Sequence, residues 1–141
     1  MTYLEWFEAH ANKHKAIVDT LTELSDSEVI EYFSYDNMKE KHVDFCSLYA
    51  EDSKCHEMED LNCYLCACMY FRFSDKGIRE EGGKTLYSLC SIEAKEGKAF
   101  VSDDAIHQDC SECLIPHKKH VIEKHFSRDW REIMKKSVDN K

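Results

Sequence analysis

Proline is almost missing from this chain, one residue in 141, and glycine is scarce at four. Sandwiches and barrels made wholly of strands place both residues at their many turns, so this shortage disfavours them and favours helices. Long apolar runs are missing too. No stretch approaches the roughly 18 consecutive apolar residues that a membrane span needs. The opening "MTYLEWFEAH" has neither the basic nor the apolar region of a secretory signal. These absences lead to the expectation of a soluble, cytoplasmic protein with no membrane partner. Positive charge is also in short supply: 19 Lys and Arg face 28 Asp and Glu, a net charge of −9. Phosphate backbones demand a basic surface, and no stripe of Lys or Arg is visible, so nucleic acid is set aside as a partner. There is no glycine-rich phosphate loop and no dinucleotide-binding fingerprint.

Cysteine is the residue in surplus. Eight occur: Cys46, Cys55, Cys63, Cys66, Cys68, Cys90, Cys110 and Cys113. In a reducing compartment stable disulfides are rare, and crowded cysteines more often bind metal or do thiol chemistry. The stretch "LNCYLCACMYF" puts Cys63, Cys66 and Cys68 on one short loop, and "HQDCSEC" supplies a second C-x-x-C, Cys110 and Cys113. A two-residue gap lets the backbone fold round a metal with both sulfurs pointing inward. Two such pairs offer four thiolates, enough for tetrahedral zinc or for an iron–sulfur cluster. Zinc is satisfied by four ligands and leaves the others idle. A cluster has several irons to ligate, and C-x-x-C-x-C can reach more than one of them, with Leu65, Ala67, Met69, Tyr70 and Phe71 as apolar screening. All-thiolate ligation suits either choice. The leading expectation is therefore a 4Fe–4S cluster, with zinc as the alternative. The triplet and the Cys110/Cys113 pair rank first as ligands, then Cys55 and Cys90, then Cys46. Cys46 and Cys90 also fit the role of small buried apolar residues.

Several familiar patterns fail. The ferredoxin run C-x-x-C-x-x-C-x-x-x-C-P and the spacing C-x-x-x-C-x-x-C are absent. Cys55-His56 lacks the earlier cysteine of a haem attachment site, because position 52 is Asp. Neither pair sits in the alternating strand and helix pattern of a thioredoxin.

Histidine supplies alternative or supporting ligands. His107 lies three residues before Cys110, His117 four after Cys113, and His56 beside Cys55. Each is placed to complete a mixed thiolate–imidazole set or to hydrogen-bond a sulfur. His10 and His14 share one face of a helix at a chelating interval, but without a matching pair elsewhere. No residue is assigned a catalytic role, and the question of enzyme or carrier stays open, leaning to a carrier or sensor.

Along the chain, apolar residues at three-and-four spacing predict a helix over 3–24, carried by Leu4, Phe7, Ala11, Val18 and Leu21, with His14 in the same register. Ser25 and Glu28 form a capping-box pattern before a second helix over 26–41. Residues 43–68 show no period and read as irregular chain wrapped round a centre. "MYFRF" and "TLYSLCSI" read as two strands joined by an exposed charged loop, and "KAFVS" as a third. Pro116 suits the first position of a helix over 116–126, and Ser127 the cap of a last one.

The fold expected is α-rich (α+β), one domain over 1–141. It comprises a helical hairpin (1–42), a cysteine-rich centre with a small antiparallel β-element (43–115) and C-terminal helices (116–137). The function expected is electron transfer or redox sensing by a small iron–sulfur protein, its acidic surface docking a basic redox partner. The alternatives are a zinc-stabilised binding or adaptor protein and a thiol–disulfide oxidoreductase using Cys63/Cys66 or Cys110/Cys113.

Overall fold

The computed structural model describes residues 2–138. Helix α1 spans Tyr3–Val18, opened by Thr2, whose hydroxyl accepts from the Glu5 amide at 3.1 Å. Its inner face carries Phe7, His10, Ala11, His14, Ile17 and Val18. The helix ends six residues earlier than its apolar period predicts, and Leu4 is 46% exposed, outside the buried stripe. Leu21 still reaches the core from the turn that follows.

The Ser25–Glu28 capping box is present in both directions and starts α2, Asp26–Tyr32. The single second helix expected over 26–41 is broken: α3 runs separately over Tyr35–Lys41. The break has a tertiary cause. Residues 61–63 cross the chain there as a short extended segment, with Tyr35 N–H donating to Leu61 O at 2.9 Å and Cys63 N–H to Phe33 O at 2.8 Å. Asn62 locks the crossing, its amide donating to Ile30 O at 2.7 Å while its side-chain oxygen accepts from Tyr64 N–H at 2.9 Å.

Residues 43–68 are irregular, as their lack of period predicts, and much of the stretch is core as well as cavity wall. Phe45, Tyr49, Leu61, Tyr64, Leu65 and Met69 are all buried. With Phe7, Phe33, His14 and Trp130 they form an aromatic centre. Phe33 and Tyr64 meet edge-on at 4.8 Å, and Phe7 packs on Trp130 at 4.8 Å. Such pairs add about 0.5–1.5 kcal/mol each beyond their buried area.

Two small sheets follow. Strand β1, Phe71–Phe73, pairs antiparallel with β4, Ser88–Cys90, setting Phe71 opposite Cys90. The intervening charged segment, expected as plain loop, contains β2, Arg79–Glu81, which forms a hairpin with β3, Lys84–Leu86, across Gly82 and Gly83. The apolar word over 85–92 is thus split between two sheets. Strand β5, Lys98–Val101, matches expectation. Strand β6, Ala105–Asp109, was not anticipated, and it pairs parallel with β3 and antiparallel with β5. The larger sheet, ordered β2-β3-β6-β5, is therefore mixed, a correction to the purely antiparallel element.

Pro116 sits in a 3-10 turn, Ile115–His117, just ahead of α4, Lys119–His125, rather than inside it. Helix α5, Trp130–Val138, returns to α1 and buries Trp130 and Met134. Arg128 fastens its approach, donating to the Leu21 and Leu24 carbonyls at 3.2 and 2.7 Å and pairing with Asp26 at 3.0 Å. The mixed α+β class holds. Among the described residues no helix is long and apolar enough to cross a membrane.

Candidate metal centre

All eight cysteines are free thiols. Six of them, Cys55, Cys66, Cys68, Cys90, Cys110 and Cys113, line one cavity of about 250 Å³ together with His56 and His117. The cavity lies where the irregular centre, the end of β6 and the 3-10 turn meet, and Tyr3, Phe71, Ile92, Ile115 and Pro116 make much of its remaining wall apolar. Cys46 and Cys63 fall elsewhere. Cys63 is in the core at 7% exposure, and Cys46 is half-buried against that core. His107 also lies off the cavity wall. It stacks on Tyr87 at 5.2 Å, and strand alternation turns its neighbour Gln108 inward instead.

At one end of the cavity Cys55, His56 and His117 converge, their ligand atoms all within 4.8 Å of one another. The sulfur of Cys55 lies 3.6 Å from His117 Nε2 and 3.1 Å from His56 Nδ1. The tautomers follow from the far side of each ring. His117 Nδ1 is 2.7 Å from the Asn62 carbonyl oxygen, and His56 Nε2 is 2.9 Å from the Cys110 carbonyl oxygen. A carbonyl only accepts, so both of those nitrogens carry the proton. The other two nitrogens, the ones facing Cys55, are then bare lone pairs. Backbone carbonyls fix both imidazoles in the orientation typical of metal-binding histidines, whose far N–H is anchored by a second partner.

Spacing and charge state fit an ion. Tetrahedral zinc with ordinary Zn–S and Zn–N bonds sets sulfur and nitrogen about 3.6 Å apart; the His117 distance of 3.6 Å matches it, and the His56 distance of 3.1 Å is shorter. Burial lowers the His117 pKa from its usual value, opposed by the Asn62 carbonyl and reinforced by His56, so the ring stays neutral and able to ligate. Cys55 is an exposed residue, yet partial desolvation of its sulfur raises it, helped by Cys46 and opposed by the amides of Cys55 and His56, which point at its sulfur. Cys66 is raised well above the ordinary thiol range by burial and then by Cys63, Cys55 and Cys46. Buried thiols of this kind give up their protons to a metal, not to water, so binding and proton release are coupled. The group Cys55, His56 and His117 is therefore a site able to hold a metal ion.

The sequence named all eight of these cavity donors, Cys66, Cys68, Cys110 and Cys113 from their spacing, Cys55 and Cys90 as secondary ligands, and His56 and His117 as alternative ones. It did not indicate that His117 meets Cys55 across the chain, nor that Asn62 orients it. Asn62 carries no signal of its own beyond standing next to Cys63.

No protein-family model, no curated protein and no solved structure matches the chain. The reading of the site rests on its own chemistry.

Proposed function

We propose that the chain is a zinc-stabilised binding or adaptor module, its ion held by Cys55, His56 and His117, with Cys66 of the same cavity wall as the fourth ligand. The observation that carries this reading is the pair of imidazoles, each held by a backbone carbonyl so that a lone pair faces the same sulfur. A mixed set of two nitrogens and one sulfur is a donor set that zinc takes. A cluster distributes its ligands over several irons and sets them further apart. When bound, the ion supplies a cross-link between the irregular centre and the 3-10 turn, and the surface of the protein does the recognising.

A second reading keeps the iron–sulfur expectation, with electron transfer or redox sensing as its function. It is supported by the number of thiols on one largely apolar wall, more than a single ion takes. A thiol–disulfide exchange role is disfavoured. Reactive thiols have depressed pKa values, whereas burial pushes Cys63 up to about 12 and Cys68 and Cys110 up to about 11.

Anaerobic purification followed by analysis for zinc, iron and sulfide separates these readings. Colourless protein carrying whole-number zinc, lowered in Cys55→Ser and His117→Ala but unchanged in His107→Ala, is the expected result. Brown protein with iron and sulfide, bleaching on reduction, replaces it with the second reading.

A further inference from the structure

The Cys55–His56–His117 group leaves four thiols of the same cavity unaccounted for. Their positions follow from the sheets. Strands β4 and β6 run side by side: Tyr87 N–H donates to Ile106 O at 2.9 Å and Gln108 N–H to the Ser88 hydroxyl at 2.7 Å. Two residues further along, Cys90 closes β4 and Cys110 follows β6, so the two strands deliver both thiols to the same end. Cys68 arrives at that end from β1, because Phe71 is in register with Cys90, Ser91 N–H donates to Tyr70 O at 2.9 Å, and Phe71 N–H to Cys68 O at 3.1 Å. Cys113 comes with Cys110 through a tight turn closed by Cys113 N–H to Cys110 O at 3.0 Å. All four line the cavity wall, but no three of their sulfurs lie within 4.8 Å of one another as the Cys55, His56 and His117 donors do, so a shared ion has to draw them together on binding.

We propose that the protein holds two metal ions, and that Cys68, Cys90, Cys110 and Cys113 form a second, all-thiolate zinc site on the sheet side of the cavity. This deepens the reading above and rests on it for the identity of the metal.

The backbone between the two sites supports the division. Ala67 and Cys68 both have positive φ, 93° and 61°, without being glycine. Such conformations cost on the order of 1–3 kcal/mol each and persist only where the surroundings over-determine them. Here they turn the chain between Cys66 and Cys68, so thiols two residues apart serve different groups. The Tyr70 amide points at the Cys68 sulfur and the Ala67 amide at that of Cys66, the N–H contacts that stabilise a thiolate.

Native mass spectrometry of the anaerobic, zinc-loaded chain tests this directly. Two zinc ions are expected in the natural protein and one in each of Cys90→Ser and His117→Ala. Cobalt substitution then tells the remaining sites apart: His117→Ala keeps an all-thiolate spectrum, and Cys90→Ser a mixed sulfur–nitrogen one. A single ion in the natural protein overturns the two-ion proposal, and a count unchanged in Cys90→Ser but lowered in His117→Ala overturns the second site and leaves the first reading standing. Loss only in Cys90→Ser, with His117→Ala still holding two ions, overturns the first reading and leaves the thiolate site. Should either variant fail to fold, zinc-edge X-ray absorption on the natural protein decides. Two sites average three sulfurs to one nitrogen per ion, and an average of two to two overturns the second site.

Discussion

At the scale of single residues, the histidines divide into ligands and core. His56 and His117 face a thiol. His14, fully buried, donates through Nε2 to the Tyr64 carbonyl at 3.2 Å and stacks on Phe33 at 4.8 Å, while its Nδ1 has no hydrogen-bond partner among the described residues. His10, at 4% exposure, lies between Trp6, Phe45 and Trp130. Burial lowers His10 to about 4 and His14 to about 3. Both are neutral in the fold, and the unfolded chain takes up their protons below about 6.5. Stability contributed by these residues is therefore whole above that value and falls as the pH drops towards 4 and 3. One unit below it, at about pH 5.5, each costs about 1.4 kcal/mol. His14→Phe keeps the ring stacking and removes one of these protons. Urea unfolding from pH 8 to 5.5, with metal content followed in parallel, is expected to show a slope flatter than that of the natural protein by that amount. Parallel slopes would mean that His14 titrates alike in both states. A ligand test belongs at the same scale: His56→Ala is expected to weaken metal binding, and His107→Ala to leave it unchanged in the same competition titration.

Elements show what a local pattern can and cannot carry. Helix α1, the capping box and the strand at Lys98–Val101 were legible because each is written in neighbouring residues: an apolar period, a Ser-x-x-Glu, an apolar word between charges. The break between α2 and α3 was not, because the period of 26–41 runs on through it. What interrupts it is the Asn62 crossing, which comes from elsewhere in the chain. The parallel β3–β6 pairing escaped for the same reason, and β6 itself lacked an apolar run, its sequence being Ala-Ile-His-Gln-Asp. The elements that were legible give local predictions. Ser25→Ala removes the hydroxyl that accepts from the Glu28 amide, leaving the backbone N–H of residue 25 on the Glu28 carboxylate, and is expected to cost about 1 kcal/mol without changing metal content. Gly77→Ala is costlier. Gly77 has φ of +96°, and an added Cβ would lie 2.5 Å from the Thr85 methyl across the hairpin. Both the conformation and the clash oppose a side chain, so a loss above about 1 kcal/mol is expected in urea melts. A loss no greater than that of Ser25→Ala would show that the hairpin yields to the new side chain.

For the whole molecule, the question is what the metal holds together. The aromatic core joins α1, α5 and the irregular centre through Phe7, Phe33, Tyr64 and Trp130, and none of these residues lines the cavity. The cavity is instead the place where the centre, the sheets and the 3-10 turn meet. There, strained backbone at Ala67 and Cys68 and largely desolvated thiols oppose the fold when no cation is present. The eight donors come from distant stretches of chain, which is why spacing alone nominated the cysteines but not their grouping. An ion that binds only the folded chain stabilises it by RT ln(1 + [L]/Kd), about 4 kcal/mol when free metal is a thousand times Kd. Removing it is therefore expected to act locally before it acts globally. Chelator-treated protein should exchange amide hydrogens faster at 54–70, 88–92 and 108–118, while the inner face of α1 and the Trp130 end of α5 keep their protection. Mass-resolved hydrogen exchange with and without chelator reads this directly, and adding zinc back should restore the slow rates. If exchange rises evenly through α1 and α5 as well, the metal is the keystone of the whole core. If it rises nowhere, the cavity stands without metal, and the thiols on its wall are packing and not ligands.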